Sequence, residues 1–205
     1  MMLQVWRLVV FISAFSVLGV WLYEAWSSAL GPDPGKVIID RLGLGALVLL
    51  LITLSLTPLQ KMTSWKGWAL VRRQLGLWTF TYAALHFCSY LVFVLGWDFS
   101  RLGIELQKRP YVIVGFIAVL GLLPLALTSN RYSMRKLGKQ WKRLHRLIYI
   151  ALVMALLHMF WITRSDIREW LIYASIGGLL LVLRLPFIAA QLRQKKIFQS
   201  GQNKA

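Results

Sequence analysis

HRLIYIALVMALLHMFW, residues 145–161, opens on one histidine, carries a second at His158, and holds between them twelve residues of which only Arg146 is charged. Thirteen residues at a helical rise of about 1.5 Å span roughly 20 Å, two-thirds of a bilayer's hydrocarbon core. An imidazole deep in so apolar a run is costly unless it has a task, because ionisable side chains within membrane helices are rare and usually functional. The remaining histidine, His86, lies in another hydrophobic segment, residues 75–96.

These are two of six such segments. Leu-rich runs fall at about 5–23, 43–58, 75–96, 111–128, 147–163 and 170–190, each near the roughly 20 residues that a spanning helix needs. Hydrophobic residues make up 58% of the 205, and the mean hydropathy is +0.62, above the range of ordinary soluble domains. The expectation is an all-α membrane protein, a six-helix bundle occupying residues 1–205 as one domain. The linkers are too short to hold a nucleotide- or flavin-binding reductase domain. The first run reaches Tyr23 and continues into Glu24 and Trp26 instead of a small-residue cleavage site, so a retained anchor is expected, not a cleaved signal peptide.

Charge fixes an expected orientation. With the N-terminus inside, seventeen of the 24 Lys and Arg fall on one side, while Glu24, Asp33, Asp40, Asp98, Glu105, Asp166 and Glu169, all seven acids, fall on the other. The positive-inside rule then places both termini in the cytoplasm. The net charge of +17 is thereby explained by topology and anionic lipid, not by nucleic acid. A single cysteine, Cys88, rules out an intramolecular disulfide, a CxxC redox pair and a cysteine-ligated iron–sulfur cluster, and reads as a small packing residue. Gly31-Pro32-Asp33-Pro34-Gly35 forbids helix continuation in the first outer loop. Residues 96–110 read as a surface-lying segment. The basic loop 129–146 carries Trp141 as a headgroup-level anchor, and Arg184 is expected to snorkel towards the inner surface. No internal repeat is visible.

In a six-span, N-in bundle the third and fifth helices run the same way, so depth can be compared. His86 and His158 each lie twelve residues in, about 18 Å above the inner boundary. A planar macrocycle between the helices would be held axially by both, the bis-histidine arrangement of electron-transfer haem. His145 sits lower, at the boundary, and addresses the same cleft as His158 only if the helix is bent or shifted, since thirteen residues rotate about 140° from the starting face. Arg72, fourteen residues before His86, and its neighbour Arg73 are candidates for a propionate or second-haem contact there. Trp78, Phe80, Tyr82, Phe87, Tyr90, Phe160 and Trp161 are candidate porphyrin-lining aromatics, although packing is the commoner use of such residues. Gly43 and Gly45 read as close-packing positions. No Ser or Cys is matched with a base and an orienting acid, and no glycine-rich phosphate loop follows a strand, so hydrolase and transferase chemistry is excluded.

Strings across nearly the whole chain carry a resemblance: LGPDPGK at 30–36, LTPL at 56–59, RRQLGLW at 72–78, ALHFCSY at 84–90, RPY at 109–111, LTS at 127–129, RKLGKQWKRLH at 135–145 and HMFW at 158–161. With the histidine positions they make the chain resemble the MsrQ family, formerly YedZ, the haem-binding membrane subunits of the periplasmic methionine sulfoxide reductase system within the ferric-reductase-like superfamily. The resemblance implies b-type haem, one or two, on His86, His145 and His158, and association with FMN. It implies a bacterial inner-membrane electron conduit to the periplasmic molybdenum-cofactor subunit MsrP, which repairs oxidised methionine in proteins. The donor would be a cytosolic flavin/NAD(P)H reductase or quinol. NADPH oxidases of the superfamily carry two histidines on each of these helices, whereas arginine stands here at Arg72. Arg131, Arg135, Lys136 and Lys139 are candidates for the FMN phosphate or for docking a reductase. The alternatives are a ferric or metal reductase of the same superfamily, a proton-coupled transporter with a histidine relay, and a structural anchor for MsrP.

Overall fold

The computed structural model describes residues 2–163 and 167–184. Among these, every regular element is helical: α1 (Met2–Trp26), α2 (Pro34–Thr63), α3 (Gly67–Phe93), α4 (Leu102–Lys108), α5 (Pro110–Leu127), α6 (Arg131–Leu137), α7 (Lys139–Leu144), α8 (Leu147–Ile162) and α9 (Ile167–Val182). Five helices are long and apolar enough to cross a membrane, with α7 and α8 counted together. The sixth expected span coincides with α9 as far as Val182; its expected end, with Pro186, lies outside the described residues. So do Asp166 on the acidic side and Arg193, Lys195, Lys196 and Lys204 on the basic side of the expected charge division.

Local chemistry sets the helix ends. Asp33 caps α2 by accepting from the Lys36 amide at 3.0 Å, and Pro34 occupies the first helical position, where its missing N–H costs nothing. The proline-glycine loop is thus shorter than the sequence suggests, because its last two residues already belong to α2, which begins nine positions before the expected span. Pro110 starts α5 in the same way. Residues 99–108 fold as a turn of 3-10 helix followed by α4, with Ile104 exposed. The basic loop forms α6 and α7 and is pinned where the Trp141 indole donates to the Thr128 carbonyl at 3.0 Å.

The core is threaded on α8. Leu152 is fully buried against Leu47, Leu50, Leu51 and Leu54 of α2 and Leu180 of α9, while its neighbour Ala151 packs with Ala83 of α3 and Leu122 and Leu125 of α5. Helix α1 is held more loosely, with Ala14 its only buried residue, and presents an apolar surface suited to lipid. Its ties include the Tyr82 hydroxyl donating to the Ala14 carbonyl and the Gln74 amide donating to the Arg7 carbonyl. Trp78 and Tyr82 pack on α1 aromatics, Trp78 on Phe11 and Phe15 and Tyr82 on Trp21, so neither lines the central cavity.

Arg184 departs from expectation. Instead of reaching for the surface, its guanidinium turns into the bundle and donates to the Tyr149 hydroxyl at 2.6 Å and to the Leu54 carbonyl at 2.5 Å. The reason lies four residues beyond Leu54: Pro58 has no N–H to return, which leaves that carbonyl without its helical partner.

Candidate functional site

The start of α2, the end of α3, the start of α5, the end of α8 and the start of α9 meet around one cavity of about 740 Å³, lined among others by Asp33, Lys36, Asp40, His86, Phe87, Tyr90, Phe93, Arg109, Tyr111, His158 and Glu169. Helices α3 and α8 therefore run in the same direction, as the equal depth of their histidines requires. Acidic residues gather at this end, and the basic loop 129–146 lies at the other. The volume is within the range of small-molecule and cofactor sites, roughly 300–1,000 Å³.

His86 and His158 share this cavity with ring centroids 6.0 Å apart and planes inclined at 82°. The Nδ1 of His86 lies 2.8 Å from the carbonyl oxygen of Ile39 on α2, and that of His158 lies 2.7 Å from the carbonyl oxygen of Tyr111 on α5. A carbonyl can only accept, so each Nδ1 carries the proton and each Nε2 keeps its lone pair. That is the tautomer of a metal-ligating imidazole whose second nitrogen is tied by an outer hydrogen bond. An imidazole nitrogen sits about 2 Å from a first-row metal, so two rings aimed at one ion place their centroids roughly 6 Å apart. The observed separation fits a single iron between the rings, and the cavity gives a planar macrocycle room. Tyr90, whose buried hydroxyl has no hydrogen-bond partner among the described residues, offers a polar group at the cavity wall.

His145 is not part of this cavity. It caps α7 at a two-residue turn before α8 begins, so the helix is interrupted beside it, yet the ring does not join His158 in the same cavity. Its ring stacks on Trp141 with centroids 3.8 Å apart, its Nδ1 lies 3.1 Å from the Trp141 carbonyl, and its buried Nε2 has no partner among the described residues. Arg72 is exposed and donates to the Thr57 hydroxyl at 3.1 Å, and Arg73 is exposed as well; neither lines the cavity. Arg131, Arg135, Lys136 and Lys139 are all exposed around α6, with the Lys136 ammonium over the Tyr132 ring. Of the expected aromatic lining, Phe87 and Tyr90 are present; Phe80 packs with Ala83 and Leu122, and Phe160 packs on Trp170. The sequence reading missed Lys36, Asp40, Phe93, Arg109 and Tyr111, which reach the cavity only because five helix ends converge there.

Two comparisons place this geometry. Residues 42–156 match the family described as ferric reductase like transmembrane component, a stretch that contains His86 and His145 and stops just short of His158. The protein-methionine-sulfoxide reductase heme-binding subunit MsrQ of Xanthomonas axonopodis pv. citri (strain 306) is 44% identical over 177 residues, covering 85% of this chain and 81% of that protein. With multiple apolar helices, a ferric-reductase-like bundle and that identity across most of its length, the chain belongs to the MsrQ family of the ferric-reductase-like membrane proteins.

Proposed function

We propose that the chain is a b-type haem electron conduit of the bacterial inner membrane, oriented with both termini in the cytoplasm. Electrons arrive from a cytosolic flavin/NAD(P)H reductase or from quinol and leave at the acidic end for the periplasmic molybdenum-cofactor subunit MsrP. The supporting observation is the pair of imidazoles 6.0 Å apart, each with Nδ1 committed to a carbonyl and Nε2 free to coordinate.

His86 and His158 would hold the haem iron through their Nε2 atoms, a ligand pair that suits outer-sphere electron transfer. Bound haem supplies the one-electron chemistry; the protein supplies binding, orientation and electrostatics. The carbonyls of Ile39 and Tyr111 raise the basicity of the two rings and fix their rotation. Lys36 and Arg109, on the cavity wall near the acidic end, are the cations placed to balance propionate charge, in competition with their present partners Asp40 and Glu105. At the basic end His145, with its unpartnered Nε2, would serve a lower haem, with Arg72 or Arg73 beside it, and the cluster Arg131, Arg135, Lys136 and Lys139 would receive the FMN phosphate or the reductase.

Reduction of the purified full-length chain with dithionite should shift its Soret band, and a pyridine haemochrome assay should return b-type haem. Colourless, correctly folded protein would refute the conduit. Transfer of electrons to MsrP in proteoliposomes, lost in the His86→Ala and His158→Ala variants, separates this reading from a merely structural anchor.

A further inference from the structure

The two imidazoles are held by the same device used twice. In the first hairpin the Ile39 carbonyl receives His86 and residue 43 is glycine; in the second the Tyr111 carbonyl receives His158 and residue 115 is glycine. In both, carbonyl and histidine are 47 residues apart, and the glycine stands four residues after the carbonyl. Every position in the second set lies 72 residues after its counterpart in the first. The hairpins α2–α3 and α5–α8 are also the two most extensive helix pairings in the bundle.

The glycine has a physical reason. In a helix the carbonyl of residue 39 already accepts from the amide of residue 43, and a Cβ at 43 would lean back towards it. Without that Cβ, the carbonyl's second lone pair is open to an imidazole from the neighbouring helix. A Cβ at 43 would lie 3.0 Å from both Cε1 and Nδ1 of His86, and one at 115 would lie 2.7 Å from the same atoms of His158. Gly35, Gly45 and Gly67 on the first hairpin are as crowded, but by the aromatic rings of Phe93, Tyr82 and Trp65. Gly43 and Gly115 are the two whose added Cβ would strike a histidine, while at Gly76 and Gly121 it would meet nothing nearer than 3.9 Å and 3.8 Å.

We propose that Gly43 and Gly115 are positioning residues that seat His86 and His158 against the neighbouring backbone, and that the paired-imidazole site is one hairpin device present in two copies. The inference rests on the reading of these Nε2 atoms as haem ligands for its purpose, but not for the contact itself. The same register places Arg73, not Arg72, opposite His145, so the copies diverge at the basic end: histidine in one and arginine in the other.

A double-mutant cycle on the full-length chain in detergent tests the contact. G115A should lower the apparent Tm by roughly 5 °C in the presence of His158, as overpacking does in a chain of this size, and by less than about 1 °C in an H158A background. An equal fall in both backgrounds would overturn the proposal, since the glycine would then serve helix packing alone. On haem-loaded protein, G115A should shift or erase the low-spin ferric signal in electron paramagnetic resonance, G43A should shift it less, and G121A should leave it unchanged. An unaltered signal and haem content in G115A would also overturn it. Should the parent chain bind no haem, the proposed function fails while the thermal cycle still decides the role of the glycines.

Discussion

The two ends of α8 put the same side chain in different settings. At the acidic end, His158 is tied to the main chain of another helix and faces a second imidazole across a cavity. At the basic end, His145 is tied to the carbonyl of Trp141 in its own short helix, lies flat on that indole, and faces no histidine. The first arrangement is built by two hairpins closing on each other, each ring anchored by a main-chain oxygen of the helix beside it. The second is one-sided: the ring rests on Trp141, and its Nε2 has no hydrogen-bond partner among the described residues. Symmetric donors, more than burial, distinguish a finished site from half of one.

The largest test of this contrast is removal of the ligands. His158→Ala or His86→Ala should reduce haem affinity at the upper position by more than the 10- to 100-fold typical of outer-shell changes, read by haemochrome content and the low-spin signal. His145→Ala should leave that signal in place; if it erases the signal as completely, the contrast between the two ends is wrong. Next is Arg184→Leu, which leaves the Leu54 carbonyl and the Tyr149 hydroxyl unpaired near the basic half and should cost about 2–3 kcal/mol in thermal unfolding without altering the upper haem spectrum. Trp141→Phe keeps an aromatic face for His145 but deletes the bond to the Thr128 carbonyl, for a loss of about 1 kcal/mol by the same measurement. Smallest is Tyr90→Phe. Removing an unpartnered buried hydroxyl should change haem-free stability by less than about 0.5 kcal/mol, and a larger loss would mean that the hydroxyl has a partner in solution.

Much of this architecture is legible in the letters. Apolar runs of spanning length locate the long helices, and equal distances from the inner boundary bring His86 and His158 to one level, where the structure pairs them. What stays hidden is whatever the backbone does. The carbonyls of Ile39 and Tyr111 carry no signature, since every residue has one, and only the packing of α2 on α3 and α5 on α8 selects them. Gly43 reads as a close-packing glycine, correctly, but the group it admits is an imidazole and not a helix. The duplication escapes a search for repeats because, beyond the glycine and the histidine, the two hairpins share mainly scattered alanines and leucines, such as Ala46 with Ala118, Leu50 with Leu122 and Ala83 with Ala155, which any apolar helix offers. Arg184 is misread for a related reason: its attraction is to a carbonyl orphaned by Pro58, 126 positions earlier in the chain.

Because the imidazoles are oriented by main-chain oxygens, alanine scanning cannot reach those acceptors: every substitution at Ile39 or Tyr111 keeps the carbonyl. On the proposed reading, any control these oxygens exert on a bound haem survives substitution at Ile39 and Tyr111; it would yield to Gly43→Ala and Gly115→Ala, which push the rings away, or to chemistry that edits the polypeptide itself. Exchange of the amide between Ile39 and Asp40 for an ester, which weakens that oxygen as an acceptor without changing any cavity-lining side chain, would expose how far the scaffold tunes its own electron carrier.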